Sequence, residues 1–170
     1  MKKLLSLGLA VLCLLACLTA CTQTSTSNSL DEYMNANVPV IYSDFDIFPA
    51  RNALDLCVVN NYRYVSKSTL FFDDLYFLLS CTYAPEQYET ELLRLRQTNA
   101  EETESIFSLP AYVMLLSGNC YEYALLDEQN NTIVYVYAQT ADWEVFDDFP
   151  AEYLPKNATG TDICKYSYLE

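Results

Sequence analysis

Four cysteines in the body of the chain have side chains suited to covalent or metal chemistry. They are Cys57, Cys81, Cys120 and Cys164, and their spacings of 24, 39 and 44 residues match no metal-binding motif. In an oxidising compartment an even number of cysteines favours disulfides, and four cysteines allow three complete pairings that the sequence does not distinguish. The alternative is that some are buried free thiols, which pack like small apolar side chains.

The chain contains no histidine, which excludes several reaction classes. Ser-His-Asp and Cys-His catalysis and histidine-bearing zinc sites all need that residue, so a catalytic cysteine is not expected. Beyond the first 20 residues only Gly118 and Gly160 remain, too few for a phosphate-cradling loop or a dinucleotide fingerprint. We therefore predict no catalytic residue set, no metal site and no cofactor.

Acidic residues form four short clusters, at 44–46, 73–74, 101–104 and 147–148. Calcium binds convergent carboxylates, but the twelve-residue calcium loop with its central glycine is absent. Paired carboxylates can also hydrolyse glycosides, one as the acid and the other as nucleophile or base. In a chain with 23 acidic residues, adjacent pairs also arise by chance on solvated turns, which is the simpler interpretation.

Tyrosines recur at two-residue spacing, which places pairs of rings on one face of a strand. An exposed aromatic face of this kind could bind sugar rings, a peptide or another protein. The alternative is that the rings close the core while their hydroxyls reach water or backbone groups. The candidate binding face consists of Tyr121, Tyr123, Tyr135 and Tyr137.

Hydrophobic patterning predicts the elements that carry these residues. Residues 75–83 are continuously apolar and lack Gly and Pro, which predicts a strand covered on both faces. Pro85 suits a first helical position, and Tyr88, Leu92 and Leu95 recur at helical spacing after it. Further strands are predicted at 62–65, 111–116, 120–126, 133–138 and near 164–168. The predicted fold class is α+β, an antiparallel sheet of five or six strands with one main helix on one face.

The hairpin between residues 120 and 138 has two registers that fit its sequence. An Asn130-Asn131 turn would pair Gln129 with Thr132, so that Leu125 faces Val136. A longer loop centred one residue earlier is also compatible with the pattern.

The N-terminus has the pattern of a secretory signal. Lys2 and Lys3 precede an apolar run from Leu4 to Ala20 that would span only about 25 Å as a helix, short of the roughly 30 Å hydrocarbon core of a bilayer. The run ends in Leu18-Thr19-Ala20-Cys21, which resembles the lipobox of bacterial lipoproteins. That resemblance implies attachment of diacylglycerol to the Cys21 thiol and cleavage before it, whereas an ordinary secretory signal would leave Cys21 incidental.

These observations predict three segments. Residues 1–20 are the signal peptide, 21–38 are the lipidated cysteine and a polar tether with a short helix, and 39–170 are a single globular domain. The predicted location is the extracytoplasmic side of the cell membrane, with the membrane contacted through the lipid anchor. The eight polar residues from Thr22 to Ser29 would give a flexible reach of roughly 15 Å.

Charge narrows the choice of partner. Without the leader, seven basic residues oppose 23 acidic ones, a formal charge of −16, so no nucleic acid partner is expected. The predicted function is therefore a lipid-anchored module that binds an envelope protein, a peptide or a glycan. The alternatives are a small carboxylate-dependent envelope hydrolase and a spacing or assembly role.

Overall fold

In the part of the chain that the structure describes, the fold is one antiparallel sheet with the helix Pro85–Arg96 on one face. In a computed structural model, the described residues are 23–31, 47–68, 73–117, 120–139 and 148–156. The strands are β1 (Gln23–Ser27), β2 (Cys57–Ser68), β3 (Asp73–Tyr83), β4 (Glu101–Thr103), β5 (Ala111–Ser117), β6 (Cys120–Asp127) and β7 (Thr132–Gln139). The helix is α1 (Pro85–Arg96), and 3₁₀ turns span Arg51–Leu56 and Ala151–Tyr153. The α+β prediction is confirmed, with seven strands among these residues rather than five or six.

The strand order is β1-β2-β3-β7-β6-β5-β4, and every pair is antiparallel. Strands β1 to β3 form one meander and β4 to β7 form another. The two meanders join through the pairing of β3 with β7, which are separated in the sequence by α1 and three strands. The longer strands β2, β3, β6 and β7 thereby have a neighbour on each side, and the short strands β1 and β4 occupy the edges.

Strand β3 is buried on both faces, as its continuous apolarity predicts. Phe77 and Leu79 face α1, and Tyr76 and Leu78 face the opposite side. The helix face is covered by Tyr88, Leu92 and Leu95 of α1 and by Ile47, Phe48 and Leu54. The opposite face is covered by Phe107 and Phe149, with Ile106, Leu109, Tyr153 and Leu154 packed beside them. The sheet therefore separates two apolar layers.

Proline and the charge pattern account for the position of α1. Pro85 occupies the first turn, where the missing N–H has no helical partner to lose, and Glu86 follows it. Arg94 and Arg96 lie in the last turn, where cations interact favourably with the helix dipole. The helix begins at Pro85, as the sequence predicts, and contains Tyr88, Leu92 and Leu95.

The polar tether prediction is wrong for residues 23–27. These residues form β1, which pairs with Ser68–Tyr64 of β2 at the edge of the sheet. Its Ser and Thr side chains show no apolar alternation because Ser25 and Thr26 are exposed, and backbone pairing supplies the stabilisation instead. The short helix predicted to follow reaches beyond Asp31 into residues outside those described.

The longer loop between β6 and β7 is confirmed, and the register for an Asn130-Asn131 turn is wrong. Asp127 pairs with Thr132, so Leu125 faces Val134 and Leu126 faces Ile133. Asn131 has φ 48°, a left-handed value that Asn tolerates better than most residues. The Asp127 carboxylate accepts a hydrogen bond from the Asn130 side chain at 2.7 Å and fixes the turn.

Two ends of the sheet can be distinguished along the strand axes. The Gln23 end contains Gln23, Ser68 and Asp73, with Gln139 and Cys120 nearby. The Cys57 end contains Cys57, Tyr83 and the turn from Asp127 to Thr132. The 11 residues of β3 separate the two ends by about 33 Å.

Candidate functional site

A buried polar network lies between the C-terminal half of α1 and the sheet. The Tyr135 hydroxyl of β7 donates a hydrogen bond to Glu91 Oε1 over 2.7 Å, and the Tyr83 and Tyr135 hydroxyls lie 2.8 Å apart. Because Tyr135 has only one hydroxyl proton and gives it to Glu91, Tyr83 must be the donor to Tyr135. The network thus has a fixed direction, from β3 through β7 to the helix.

Glu91 also holds the guanidinium of Arg94, one turn further along α1. Arg94 Nε lies 3.0 and 2.9 Å from the two carboxylate oxygens, and Arg94 Nη2 lies 2.6 Å from Oε1. Burial acts to lower the pKa of Arg94, but the hydrogen bonds and charge of Glu91 outweigh it, so the pKa is raised. The ion pair therefore has a buried carboxylate and a partly exposed guanidinium.

The same cluster holds the segment that precedes the first 3₁₀ turn. Arg94 Nη2 donates to the Ile47 carbonyl at 2.5 Å, and the Ile47 N–H donates to Glu122 Oε2 at 3.1 Å. Glu122 of β6 is fully buried and faces the helix side of the sheet. Two acidic side chains and one arginine thus fix the backbone of a segment that closes the apolar layer.

Burial also raises the pKa values of the tyrosines in this region. The pKa of Tyr135 lies well above its ordinary value because of burial first and the neighbouring Tyr83 and Glu91 next. Burial raises the pKa of Tyr83 too, and it raises the pKa of Tyr88 to about 12, with Glu128 the next cause. These phenols stay neutral at physiological pH and act as hydrogen-bond donors or core rings.

Two of the four predicted cysteines come together beside this network. Cys57 begins β2, partly buried, and Cys81 is fully buried in β3 on the same face. The Cys57 thiol donates to the Leu54 carbonyl over 3.4 Å. Each thiol is close enough to the other to shift its pKa, which is lowered for Cys57 and raised for Cys81. Cys120 begins β6 at the other end of the sheet, whereas Cys21 and Cys164 lie outside the described residues.

The tyrosine binding face is a wrong prediction for the three rings that the structure describes. Tyr123, Tyr135 and Tyr137 are 1%, 0% and 3% exposed. Tyr123 pairs with Val136, whereas Tyr135 pairs with Ala124, so Tyr123 and the β7 tyrosines point to opposite faces. The two-residue spacing within β7 does put Tyr135 and Tyr137 on one face, but α1 and its neighbours cover it. The side chain of Tyr121 lies outside the described set.

The buried acids do not form an open carboxylate pair. Glu91 is engaged by Arg94 and Tyr135, and Glu122 holds the Ile47 N–H. Among the described residues, no group of three or more acidic or cysteine side chains could hold a metal ion. The arrangement is suited to fixing structure and donating hydrogen bonds rather than to activating a water molecule.

The Cys57 end also carries an open groove of about 380 Å³. Its lining is made by Leu109, Pro110 and Leu126 with the turn residues Asp127, Glu128, Gln129 and Asn130. Glu128 is exposed, as are Glu86 and Glu89 at the start of α1, which follows directly on β3 at the same end. The groove is thus partly apolar and has acidic neighbours.

Sequence reasoning did not identify Glu91, Arg94 or Glu122 as site residues. A signal for Glu91 was present, because it lies three residues after Tyr88 and four before Leu95, on the apolar face of α1. A carboxylate at such a position must be paired when buried, and Arg94 lies at the spacing that allows it. Glu122 gives no comparable signal, since its partner is a backbone N–H 75 residues away.

Comparison of the chain with protein-family models, with curated proteins and with solved structures gives no match. Within the described part of the chain, no helix is long and apolar enough to cross a membrane.

Proposed function

We propose that the chain is a lipid-anchored extracytoplasmic module whose Cys57 end binds an envelope protein, peptide or glycan. The resemblance of Leu18-Thr19-Ala20-Cys21 to a lipobox supports the anchor. The single observation that carries the proposal is the position of β1. Gln23 is the second residue after Cys21, so the acylated sulfur would be attached within about 7 Å of chain from an ordered strand.

This short connection gives the module an orientation. The Gln23 end of the sheet lies next to the anchor, so the Cys57 end is directed away from it by the length of β3, about 33 Å. Two acyl chains hold a protein stably at a bilayer, whereas one does so only marginally. The Cys57 end is therefore the part of the molecule best placed to meet a partner.

The surface at that end favours a cationic partner. Asp127 and Glu128 flank the groove, and the charges of both residues and of Glu89 act on Tyr88 beneath them. Electrostatic complementarity of this kind speeds encounter and selects partners more than it adds affinity. A basic protein or peptide fits this surface better than an anionic polymer does.

Acylation is tested by expressing the full chain in a bacterium that processes lipoproteins, with an alkyne fatty acid in the medium. We expect Cys21 to carry the label and the chain to fractionate with membranes. Cys21→Ser should abolish labelling, and Cys17→Ser, the matched control, should not. Recovery of the unaltered chain as an unlabelled soluble protein would contradict the anchor.

Binding is tested by photocrosslinking in the same cells. A photoreactive residue at Gln129, in the turn of the Cys57 end, should capture a partner that the same residue at Thr24 of β1 does not. Charge reversal by Glu128→Lys should reduce the Gln129 product at least several-fold. Equal products from both positions, or none from Gln129, would count against a binding surface at the Cys57 end.

A further inference from the structure

We infer that Cys57 and Cys81 are a disulfide pair that ties β2 to β3 at the Cys57 end of the sheet. The two side chains lie on the same sheet face, because Cys57 pairs with Tyr83 and Cys81 lies two residues earlier on β3. Both are free thiols in the structure, and Cys57 and Cys81 are diagonal neighbours on the β2–β3 ladder, because Cys81 pairs with Val59. The inference selects one pairing from the three that the sequence allows.

Strand register excludes the two pairings in which Cys120 joins Cys57 or Cys81. Cys81 lies opposite Ile133 of β7, whereas Cys120 lies opposite Gln139 of the same strand. Ile133 and Gln139 are six residues apart on β7, so Cys81 and Cys120 are separated by about 20 Å along the strand direction. A disulfide needs Cα atoms within about 7 Å, so Cys120 cannot reach Cys81, and Cys57 is further still.

An irregularity in the β2–β3 ladder lies beside the diagonal pair. In a regular antiparallel ladder, diagonal neighbours are further apart than directly opposed residues. Here the register shifts between Val59 and Asn61, two residues after Cys57, and such a bulge increases the local twist. Cys57 is also the first residue of β2, at the end of the β2–β3 ladder, and its N–H donates to the Leu54 carbonyl of the preceding 3₁₀ turn.

Closing the bond leaves the buried hydrogen-bond network intact. The Cys57 thiol donates to the Leu54 carbonyl over 3.4 Å, and that carbonyl also accepts the Cys57 backbone N–H. Oxidation removes the weak S–H donor, but the Leu54 carbonyl keeps its backbone partner, and the hydrogen bonds from Tyr83 to Tyr135 and from Tyr135 to Glu91 stay in place. No buried donor loses its acceptor.

The reaction is thiol–disulfide exchange with an external disulfide as the oxidant. The Cys57 thiolate attacks that disulfide, forming a mixed disulfide and releasing one thiol. The Cys81 thiolate then attacks the Cys57 sulfur, forms the internal bond and releases the second thiol. The protein loses two protons and two electrons, and the oxidant gains both as it becomes two thiols.

Cys57 and Cys81 differ in exposure and in pKa, and both differences favour attack by Cys57 first. Cys57 is the more accessible sulfur, and contact with Cys81 lowers its pKa although burial acts in the opposite direction. The pKa of Cys81 is raised by its contact with Cys57 and by burial. Once Cys57 is in the mixed disulfide, it carries no negative charge to oppose ionisation of Cys81.

The first test maps the thiols of the full chain purified from membranes after quenching with N-ethylmaleimide. This test rests on the proposed function, because the oxidant is present only outside the cytoplasm. Acylation of Cys21 is therefore measured on the same sample, to show that the chain was exported. We expect a Cys57–Cys81 peptide before reduction, with neither sulfur alkylated. An acylated chain with both sulfurs alkylated, or a peptide joining Cys81 to Cys120, would overturn the inference while leaving the proposed function standing.

The second test does not depend on export. The reduced, purified chain is placed in glutathione redox buffer, where we expect the internal bond to form without a lasting glutathione adduct. Cys120→Ser should behave identically, whereas Cys81→Ala should keep glutathione on Cys57. Reduction should lower the Tm of the oxidised chain by roughly 10 °C. A stable glutathione adduct on the unaltered chain would refute the pairing whether or not Cys21 is acylated.

Discussion

Glu91 is the side chain through which helix, sheet and the Ile47 segment interact. It accepts a hydrogen bond from Tyr135 and holds the guanidinium of Arg94, which in turn donates to the Ile47 carbonyl. A buried carboxylate is stable only when such partners satisfy it. Loss of its charge should therefore affect three parts of the chain together.

Glu91→Gln tests this role. The amide can still accept from Tyr135, but its NH₂ group opposes the donors of Arg94, and the partly buried cation loses its counter-charge. We expect the free energy of unfolding to fall by about 2 kcal/mol, measured by urea denaturation. Glu89→Gln, on the exposed face of the same helix, should change it by less than about 0.5 kcal/mol. Equal effects of the two changes would contradict the network.

For single side chains, the sequence predicts which are buried better than it predicts which groups they contact. The positions of Tyr88, Leu92 and Leu95 follow from helical spacing and are buried as expected. Whether the tyrosines are buried does not follow from their spacing alone. A two-residue repeat places the rings on one face of a strand, but it does not say whether that face is covered. Only the packing of α1 on the sheet decides that Tyr135 is a buried donor.

The helix α1 is attached to the sheet through one apolar stripe. Leu95 is 0% exposed and lies in the layer between α1 and the sheet, whereas Leu93, two residues earlier, is 54% exposed. Residues two apart on a helix point in different directions, so these two leucines form a matched pair of chemically identical test sites.

Leu95→Ala should lower the free energy of unfolding by about 3 kcal/mol, because it removes apolar contacts and leaves a cavity. Leu93→Ala should leave it within about 0.5 kcal/mol of the unaltered chain. Thermal or urea unfolding of both variants gives the comparison. Similar losses at the two positions would show that α1 does not dock through this stripe.

The sequence predicts helices and strands where the hydrophobic pattern is long. It does not predict which strands pair with each other, or in which register. The β3 strand and α1 follow from continuous apolarity and from helical spacing with proline at the start. The hairpin register was left open because Leu125 and Leu126 find apolar neighbours in both alignments, and the positive φ of Asn131 decides it. Strand β1 could not be predicted, since an exposed edge strand of Ser and Thr has no hydrophobic signal.

At the scale of the whole molecule, alkaline pH should weaken the fold. The pKa values of Tyr83, Tyr135 and Tyr88 are raised in the folded state, the last to about 12, so the unfolded chain releases these protons first. Stability from these groups is therefore complete below pH 10 and is lost as pH rises through the folded values.

Tyr88→Phe tests the contribution of one phenol. The Tyr88 hydroxyl makes no hydrogen bond within the described structure, so stability at pH 7 should change little. Between pH 10 and 12, the free energy of unfolding should fall less steeply for the variant, by the equivalent of one proton. Urea denaturation at stepped pH measures both slopes, and parallel slopes would contradict a raised pKa for Tyr88.

Strand β1 has a mechanical consequence for an anchored protein. It lies antiparallel to β2 with Gln23 at the end nearest Cys21, and its five residues pair with Ser68–Tyr64. A pull between the lipid and a partner at the Cys57 end would act along the strand axis, loading the β1–β2 hydrogen bonds in shear. Because the bonds share that load instead of opening one by one, this short edge strand would resist extraction better than its length suggests.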